Sequence, residues 1–146
     1  MSSQVKKTIG RSAPIDLLEF DLANIPAKVD TGAYHCSIHC DSIELVERGE
    51  LLELHFVPLA PRFAGYKGKK IIKRKFERIQ VRSSSGHLQW RFVIKTKVKL
   101  LGEIHSVHIS LADRSKMRNP VLLGRHFLRK HFIIDLDHQP RRENET

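Results

Sequence analysis

Apolar and polar residues alternate over most of this chain, which is the pattern of half-buried β-strands. The alternation is clearest in residues 51–59, 76–81, 88–101 and 105–113, and in the last of these Val107, Ile109 and Leu111 share one face. Short polar connections at residues 47–50 and 82–87 separate consecutive segments and predict hairpins. The pattern therefore predicts a mainly β fold.

Both ends of the chain depart from this simple pattern. Residues 8–22 contain Pro14, so they predict an edge strand or a short hairpin that leads into a strand ending near Val29. Near the other end, an apolar strand runs into Gly124, and a helical pattern follows through Leu128 and Phe132 before a last strand over residues 133–136. Residues 113–119 predict a loop or a single helical turn. The sequence thus predicts one short helix.

The chain has 146 residues, of which 40% are hydrophobic, enough for one domain with its own core. We expect a single domain over residues 1–146, with an ordered core over about 8–137 and a disordered polar tail over 138–146. No segment approaches the roughly 20 apolar residues of a membrane span, and the first residues lack the apolar stretch of a secretory signal. With only two cysteines, Cys36 and Cys40, the expected location is the cytoplasm.

The formal net charge is +10, which indicates an acidic partner without saying whether it is nucleic acid, anionic lipid or peptide. Residues 62–75 concentrate Lys and Arg around Phe63 and Tyr66. This segment predicts a solvated loop, or an electropositive rim near the functional site whose two aromatic rings are available for stacking.

One carboxylate interrupts an apolar strand in residues 25–33, which read IPAKVDTGA. Asp30 falls at the expected end of the strand, and Thr31, Gly32 and Ala33 follow it. Gly32 allows a tight turn, so a hydroxyl and backbone N–H groups can hold the carboxylate in one orientation. The segment therefore predicts one oriented carboxylate, Asp30, at a tight turn.

Asp-Thr-Gly-Ala after an apolar strand resembles the active-site turn of retropepsin-like aspartic peptidases. Those folds pair the turn with two apolar residues and a glycine before a short helix, which Leu122, Leu123, Gly124 and Arg125 supply here. Together with VRSSSGH at residues 81–87, these motifs resemble a bacterial group labelled ATP-dependent zinc protease, which is associated with α-L-glutamate ligases of the ATP-grasp type. The resemblance extends over residues 8–137.

The resemblance implies a closed β-barrel with one short helix after the Leu-Leu-Gly motif. It implies that Asp30 is catalytic, that Thr31, Gly32 and Ala33 support it, and that residues 122–125 pack behind the turn. It also suggests a flap over the substrate, formed by Arg82, Ser83, Ser84, Ser85, Gly86 and His87.

Aspartic peptidases need two carboxylates that share one proton. The chain has no second Asp-Thr-Gly or Asp-Ser-Gly, and Asp41, Asp113, Asp135 and Asp137 lack that context. A two-fold homodimer would bring Asp30 opposite its own copy. The sequence therefore predicts a homodimeric aspartic endopeptidase, and the resemblance implies that Thr31 hydrogen-bonds across the two-fold axis.

The association with glutamate ligases implies an acidic or glutamate-tailed protein as substrate, and an ATP-grasp ligase as partner. No His-Glu-x-x-His and no phosphate-binding Gly-x-x-x-x-Gly-Lys-Ser/Thr occurs in the chain. We therefore expect no cofactor and assign the ATP of the group's label to the ligase.

Two other functions stay open. The first is a non-catalytic basic module that binds the ligase, a ribosomal protein or RNA. The second is a zinc hydrolase built on His35, Cys36, His39 and His87. Because positions four apart on a strand are separated by about 13 Å, we instead expect residues 34–45 to form a strand with packed cysteines and with histidines on the wetter face.

Overall fold

The computed structural model describes residues 5–82, 85–112 and 118–139. Within them lie eleven strands and one α-helix. In chain order the strands are Lys7–Ile9 (β1), Ser12–Leu17 (β2), Leu22–Asp30 (β3), Cys36–Arg48 (β4), Leu51–Pro58 (β5), Ile71–Lys73 (β6), Glu77–Arg82 (β7), Leu88–Leu100 (β8), Glu103–Ala112 (β9), Val121–Gly124 (β10) and Phe132–Ile134 (β11). The helix α1 is Arg125–His131 and lies between the last two strands.

The main sheet closes on itself. Its strands follow the order β10, β3, β2, β8, β9, β4, and β4 pairs again with β10. β10 is parallel to β3 and antiparallel to β4, so it lies between the strand that ends at Asp30 and the strand that begins at Cys36. The predicted mainly β, closed retropepsin-like architecture with one short helix after the Leu-Leu-Gly motif is confirmed.

The inward faces of the ring strands form one apolar core. Alternate residues along β2, β3, β8 and β9 are buried, as expected for strands with one face inside. Val107, Ile109 and Leu111 are all buried, as the alternation predicts. The fully buried side chains include Ile15, Leu17, Phe20, Ile25, Ile38, Leu54, Phe56, Ile94, Leu100 and Ile109.

β2 is not an edge strand; it pairs with β3 as an antiparallel hairpin, which confirms the second of the two interpretations of residues 8–22. It lies between β3 and β8. Its pairing with β8 begins only at Asp16, however, so Pro14 has a neighbouring strand on one side, where it lies opposite Pro26 of β3. A proline is tolerated there because no second strand needs its missing N–H.

β4 is buried on both faces over its first five residues, from Cys36 to Cys40. The expectation that His39 lies on a wetter face is therefore wrong. β9 and β10 flank this part of β4, and residues 59–66 cover its outer side: the Leu59 N–H donates to the His39 carbonyl at 2.8 Å, and the Phe63 ring packs against the His39 ring.

Part of the basic segment 62–75 is a strand of the sheet. β6 pairs with β5, so the segment is not entirely a loop. Phe63 and Tyr66 pack against the core, and the Tyr66 hydroxyl donates to Asp41 at 3.1 Å. The expectation that both rings are available for stacking is wrong, because they pack against the core and anchor the segment there.

β1 and β11 form a small second sheet, in which the two strands run parallel. The short helix α1 buries Phe127 and Leu128 against the core. No helix in the described residues is long and apolar enough to cross a membrane.

Candidate active site

Asp30 is the last residue of β3, and a tight turn follows it. Its carboxylate oxygen Oδ1 accepts the Gly32 N–H at 3.1 Å, and its backbone carbonyl accepts the Ala33 N–H at 3.2 Å. Asp30 itself is half-buried, while Thr31 and Gly32 are exposed. The carboxylate is thus oriented by the backbone and remains accessible to a water or a substrate.

β10 lies directly behind this turn. Leu123 is paired with Val29 and Gly124 with Asp30, and both Leu122 and Leu123 are buried. The Gly124 N–H donates to the Cys36 thiol sulfur at 3.4 Å. Burial raises the pKa of Cys36 to about 11, against a lesser opposing effect of that hydrogen bond, so Cys36 is a packed neutral thiol.

Helix α1 and the turn satisfy each other's backbone groups. The N–H of Arg125 donates to the Ala33 carbonyl at 2.8 Å, and the N–H of His126 donates to the Tyr34 carbonyl at 3.1 Å. The first amides of a helix have no partner within it, so the turn acts as the cap. The side chain of Arg125 also contacts the turn. It donates to the Gly32 carbonyl at 3.2 Å and to the Thr31 carbonyl at 3.5 Å.

Tyr34 and His126 extend this scaffold and were not predicted as site residues. Their rings stack at 4.9 Å, and the Tyr34 hydroxyl lies 3.0 Å from His126 Nδ1. The Arg125 guanidinium lies 5.4 Å from the centre of the Tyr34 ring. No sequence pattern links positions 34 and 126. The two rings meet only because β10 places the start of the helix beside the turn.

A cavity of about 340 Å³ opens beside the turn, between it and the β7–β8 hairpin. Two arginines of the hairpin, Arg82 and Arg91, face it. The remaining lining residues are Gly32, Ala33, Tyr34, His35, Ser37, Gln80, Val81, Ser110 and Leu122. The cavity is therefore bounded by the candidate catalytic turn on one side and by a basic hairpin on the other.

The candidate flap belongs to this hairpin. Arg82 ends β7 and donates to the Gly86 carbonyl at 3.0 Å across the tip. Ser85, Gly86 and His87 are exposed, and Ser83 and Ser84 lie outside the described residues. The flap assignment stays a prediction.

Arg91 was missed because the alternation along residues 88–101 indicates only which face is inward. It does not show that the first part of β8 leaves the ring and borders a cavity. In the structure this part of β8 pairs with β7 rather than with β2.

Two of the other aspartates, Asp41 and Asp135, accept hydrogen bonds elsewhere in the structure. Asp41 accepts the Tyr66 hydroxyl, and Asp135 accepts the Asp137 N–H within a turn. Asp113 lies outside the described residues. Asp30 has no counterpart on a similar turn within the described chain.

The proposed zinc ligands do not converge. His35 is exposed on the turn, the Cys36 sulfur is bound to the Gly124 N–H, and the His39 ring packs against Phe63. Across residues 5–82, 85–112 and 118–139, no three His, Cys, Asp or Glu side chains are grouped to hold a metal. This donor geometry does not fit a zinc site at these positions.

The basic segment 62–75 is also absent from the described lining of the cavity. Its strand β6 pairs with β5, where Arg74 forms an ion pair with Glu53, and Lys67 forms an ion pair with Asp21, directly before β3. The positive charge in the lining of the cavity comes from Arg82 and Arg91 of the hairpin.

The closed sheet, the aspartate turn and the β10 strand behind it define a retropepsin-like domain. The chain belongs to the RimB-like family, described as retropepsin-like aspartic endopeptidase RimB, whose model matches residues 9–144.

Curated relatives carry a different name. A probable alpha-L-glutamate ligase of Desulfotalea psychrophila is 31% identical over 89% of this chain, and one of Shewanella halifaxensis is 31% identical over 76% of it. The matches cover 28% and 24% of those proteins. The chain thus spans about a quarter of the length of the curated relatives it matches.

The fold also resembles a solved structure. A crystal structure of a Legionella pneumophila protein of unknown function matches with a TM-score of 0.69 and 20% identity, covering 90% of this chain and 94% of that one. At this identity the likeness concerns the fold alone.

Proposed function

We propose that this chain is an aspartic endopeptidase whose active site forms between two copies related by a two-fold axis. The observation that carries the proposal is Asp30: a half-buried carboxylate at a strand end, held by the Gly32 N–H, with β10 directly behind it. Because the described residues supply one such turn, the second carboxylate comes from a second chain.

The chemistry follows from two carboxylates that share one proton. The ionised Asp30 takes a proton from a water whose oxygen attacks the scissile carbonyl carbon. The protonated Asp30 of the other copy gives its proton to the carbonyl oxygen, which forms a tetrahedral diol. When the carbon–nitrogen bond breaks, the protonated carboxyl gives its proton to the leaving amine and the other carboxylate takes a proton from a diol hydroxyl. A new carboxyl group remains, and the pair again shares one proton.

The neighbouring residues support this step by position. Gly32 orients the carboxylate, Thr31 hydrogen-bonds across the two-fold axis, and Arg125 holds the carbonyls of the turn. Leu122, Leu123 and Gly124 form the strand behind it. The hairpin tip at residues 82–87 closes over the substrate.

Acidic protein is the substrate class that the charge favours. The formal net charge is +10, and two arginines line the cavity. Relatives in which a similar segment is part of a longer chain carry the name glutamate ligase, so a protein bearing added glutamates is the proposed substrate and a ligase the proposed partner. Raising the salt concentration should slow cleavage of such a substrate because it screens the attraction.

A second candidate function is a non-catalytic basic module that binds a ligase or RNA. The relatives' names favour this second function, because a similar segment within a ligase can bind ligase or RNA without cleaving a peptide bond. It predicts that Asp30→Asn leaves binding to the ligase or to RNA unchanged.

The experiment compares wild-type protein with Asp30→Asn on a glutamate-tailed protein and a mixed peptide pool, from pH 4 to 8, with products read by mass. The peptidase proposal expects cleavage that the substitution abolishes, that a chelator leaves intact, and that rises faster than linearly with enzyme concentration. Cleavage that survives Asp30→Asn would overturn it, and cleavage lost to the chelator would revive the zinc hydrolase. Absence of cleavage by either protein would favour the binding module.

A further inference from the structure

Arg91 is a half-buried cation with no acidic partner in the described residues. It lies on β8 opposite Ile79 of β7 and borders the cavity beside the aspartate turn. Its guanidinium donates to the Gln89 side-chain oxygen at 3.4 Å, a long hydrogen bond to a neutral group. Partial burial lowers the pKa of Arg91, yet an arginine remains charged in proteins.

The other groups around the cavity do not neutralise this charge. Arg82 is also cationic and already donates to the Gly86 carbonyl. The Ser110 hydroxyl donates to the Cys36 carbonyl at 3.2 Å. A guanidinium withdrawn from water without a counter-ion is unfavourable, and its planar set of donors matches a carboxylate with two parallel hydrogen bonds.

We propose that Arg91 is the specificity-determining residue of this site and binds a carboxylate side chain of the substrate close to the scissile bond. The inference rests on the proposed function insofar as it takes the Asp30 turn as the place of cleavage. The source of the preference for acidic residues is a separate question from cleavage: one guanidinium in the cavity, and not the overall charge of the protein, provides it.

A two-fold dimer doubles this arrangement. Each protomer contributes one Arg91, so the symmetric site holds one carboxylate on each side of the bond that is cut. The preferred sequence therefore has acidic residues both before and after the scissile bond, as a run of glutamates provides.

The test measures binding by calorimetry in the Asp30→Asn protein, where no cleavage interferes. The probes are alanine-rich peptides that carry one glutamate, and matched peptides with glutamine at the same position. We expect the glutamate peptide to bind about ten- to a hundredfold more tightly, as one charge-assisted pair provides. Adding Arg91→Gln should remove this preference.

The matched control is Arg78→Gln. Arg78 lies on the same hairpin, but its guanidinium lies 5.6 Å from the centre of the exposed Trp90 ring, and it is not among the residues lining the cavity. The substitution removes the same charge from the same hairpin and should keep the preference for glutamate.

Three results would overturn the proposal: no glutamate preference in the parent protein, a preference that survives Arg91→Gln, or an equal loss in Arg78→Gln. If Arg91→Gln does not fold, Arg91→Lys keeps a charge without the planar donor pair and should weaken the preference. Because the readout is binding, the proposal stands or fails independently of whether the wild-type protein hydrolyses peptides.

Discussion

Gly124 lies so close to His35 that a Cβ at position 124 would be 2.5 Å from both the carbonyl carbon and the carbonyl oxygen of His35. It would also lie 2.6 Å from the Tyr34 carbonyl oxygen. All three atoms belong to the backbone, which cannot move aside as the end of a flexible side chain can. The glycine of the Leu-Leu-Gly motif is thus required for β10 to pass behind the aspartate turn.

Gly124→Ala should therefore destabilise the protein by about 3 kcal/mol, the upper part of the range for overpacking a close contact. Activity should fall as well, because the relief of the clash displaces residues 34 and 35. Chemical denaturation measures the first effect. The control is Gly49→Ala, where φ is +62° and no atom lies within 4 Å of a new Cβ, so only the cost of the left-handed backbone, about 1 kcal/mol, applies. Equal losses in the two variants would contradict the close-packing account.

Arg125 holds the turn through the carbonyls of Thr31 and Gly32, and Arg125→Ala should reduce the rate of cleavage far more than it reduces stability. We expect kcat to fall about ten- to a hundredfold, since small displacements of a catalytic group have effects of that size. The free energy of unfolding should change by about 1 kcal/mol or less, as for an exposed hydrogen bond.

The control for this position is Arg129→Ala, because Arg129 is an exposed arginine of the same helix. A rise in KM with unchanged kcat in Arg125→Ala would mean that Arg125 contacts substrate and does not position the turn. Hydrogen exchange at the amides of residues 31–33 provides a second readout, and these amides should exchange faster in Arg125→Ala alone.

Glu53 is a buried carboxylate surrounded by three cationic or ionisable side chains. Its oxygens lie 3.1 Å from His55 Nε2, 3.0 Å from Arg74 Nε and 3.0 Å from Arg48 Nε. The hydrogen bonds from His55 and then Arg74 are the main causes that lower the pKa of Glu53. Arg74 belongs to the basic segment, so this carboxylate also fastens that segment to β5.

A lowered folded-state pKa means that Glu53 stabilises the protein at any pH above the unfolded-state value, about 4.3 for glutamate. That stabilisation disappears as the pH falls through the folded-state pKa. Glu53→Gln should thus lower Tm at pH 7, and the difference from wild type should shrink below about pH 4. Thermal unfolding from pH 3 to 7 measures it, with the exposed Glu47→Gln as control. A difference that does not depend on pH would assign the effect to packing instead of charge.

The sequence was informative where periodicity and turn chemistry decide the structure. The strand ending at Asp30, the hairpin around residues 82–87 and the helix after Gly124 all follow from local pattern. The structure places β10 beside the strand that ends at Asp30, with Gly124 opposite Asp30. Sequence could not show that His39 is buried, because the covering residues 59–66 come from another part of the chain. It also could not show that Arg91, rather than residues 62–75, lines the cavity beside the turn, because alternation gives the face of a strand and not its neighbours.

The central claim is that two Asp30 carboxylates from two chains form one site, and subunit mixing tests it most directly. A fixed amount of wild-type protein is combined with increasing Asp30→Asn protein under conditions that allow exchange, and cleavage is measured. Random pairing at equal amounts leaves about one quarter of the dimers with both aspartates, so activity should fall by about half although the amount of wild-type protein is constant. Activity that stays constant as Asp30→Asn protein is added would contradict the shared site.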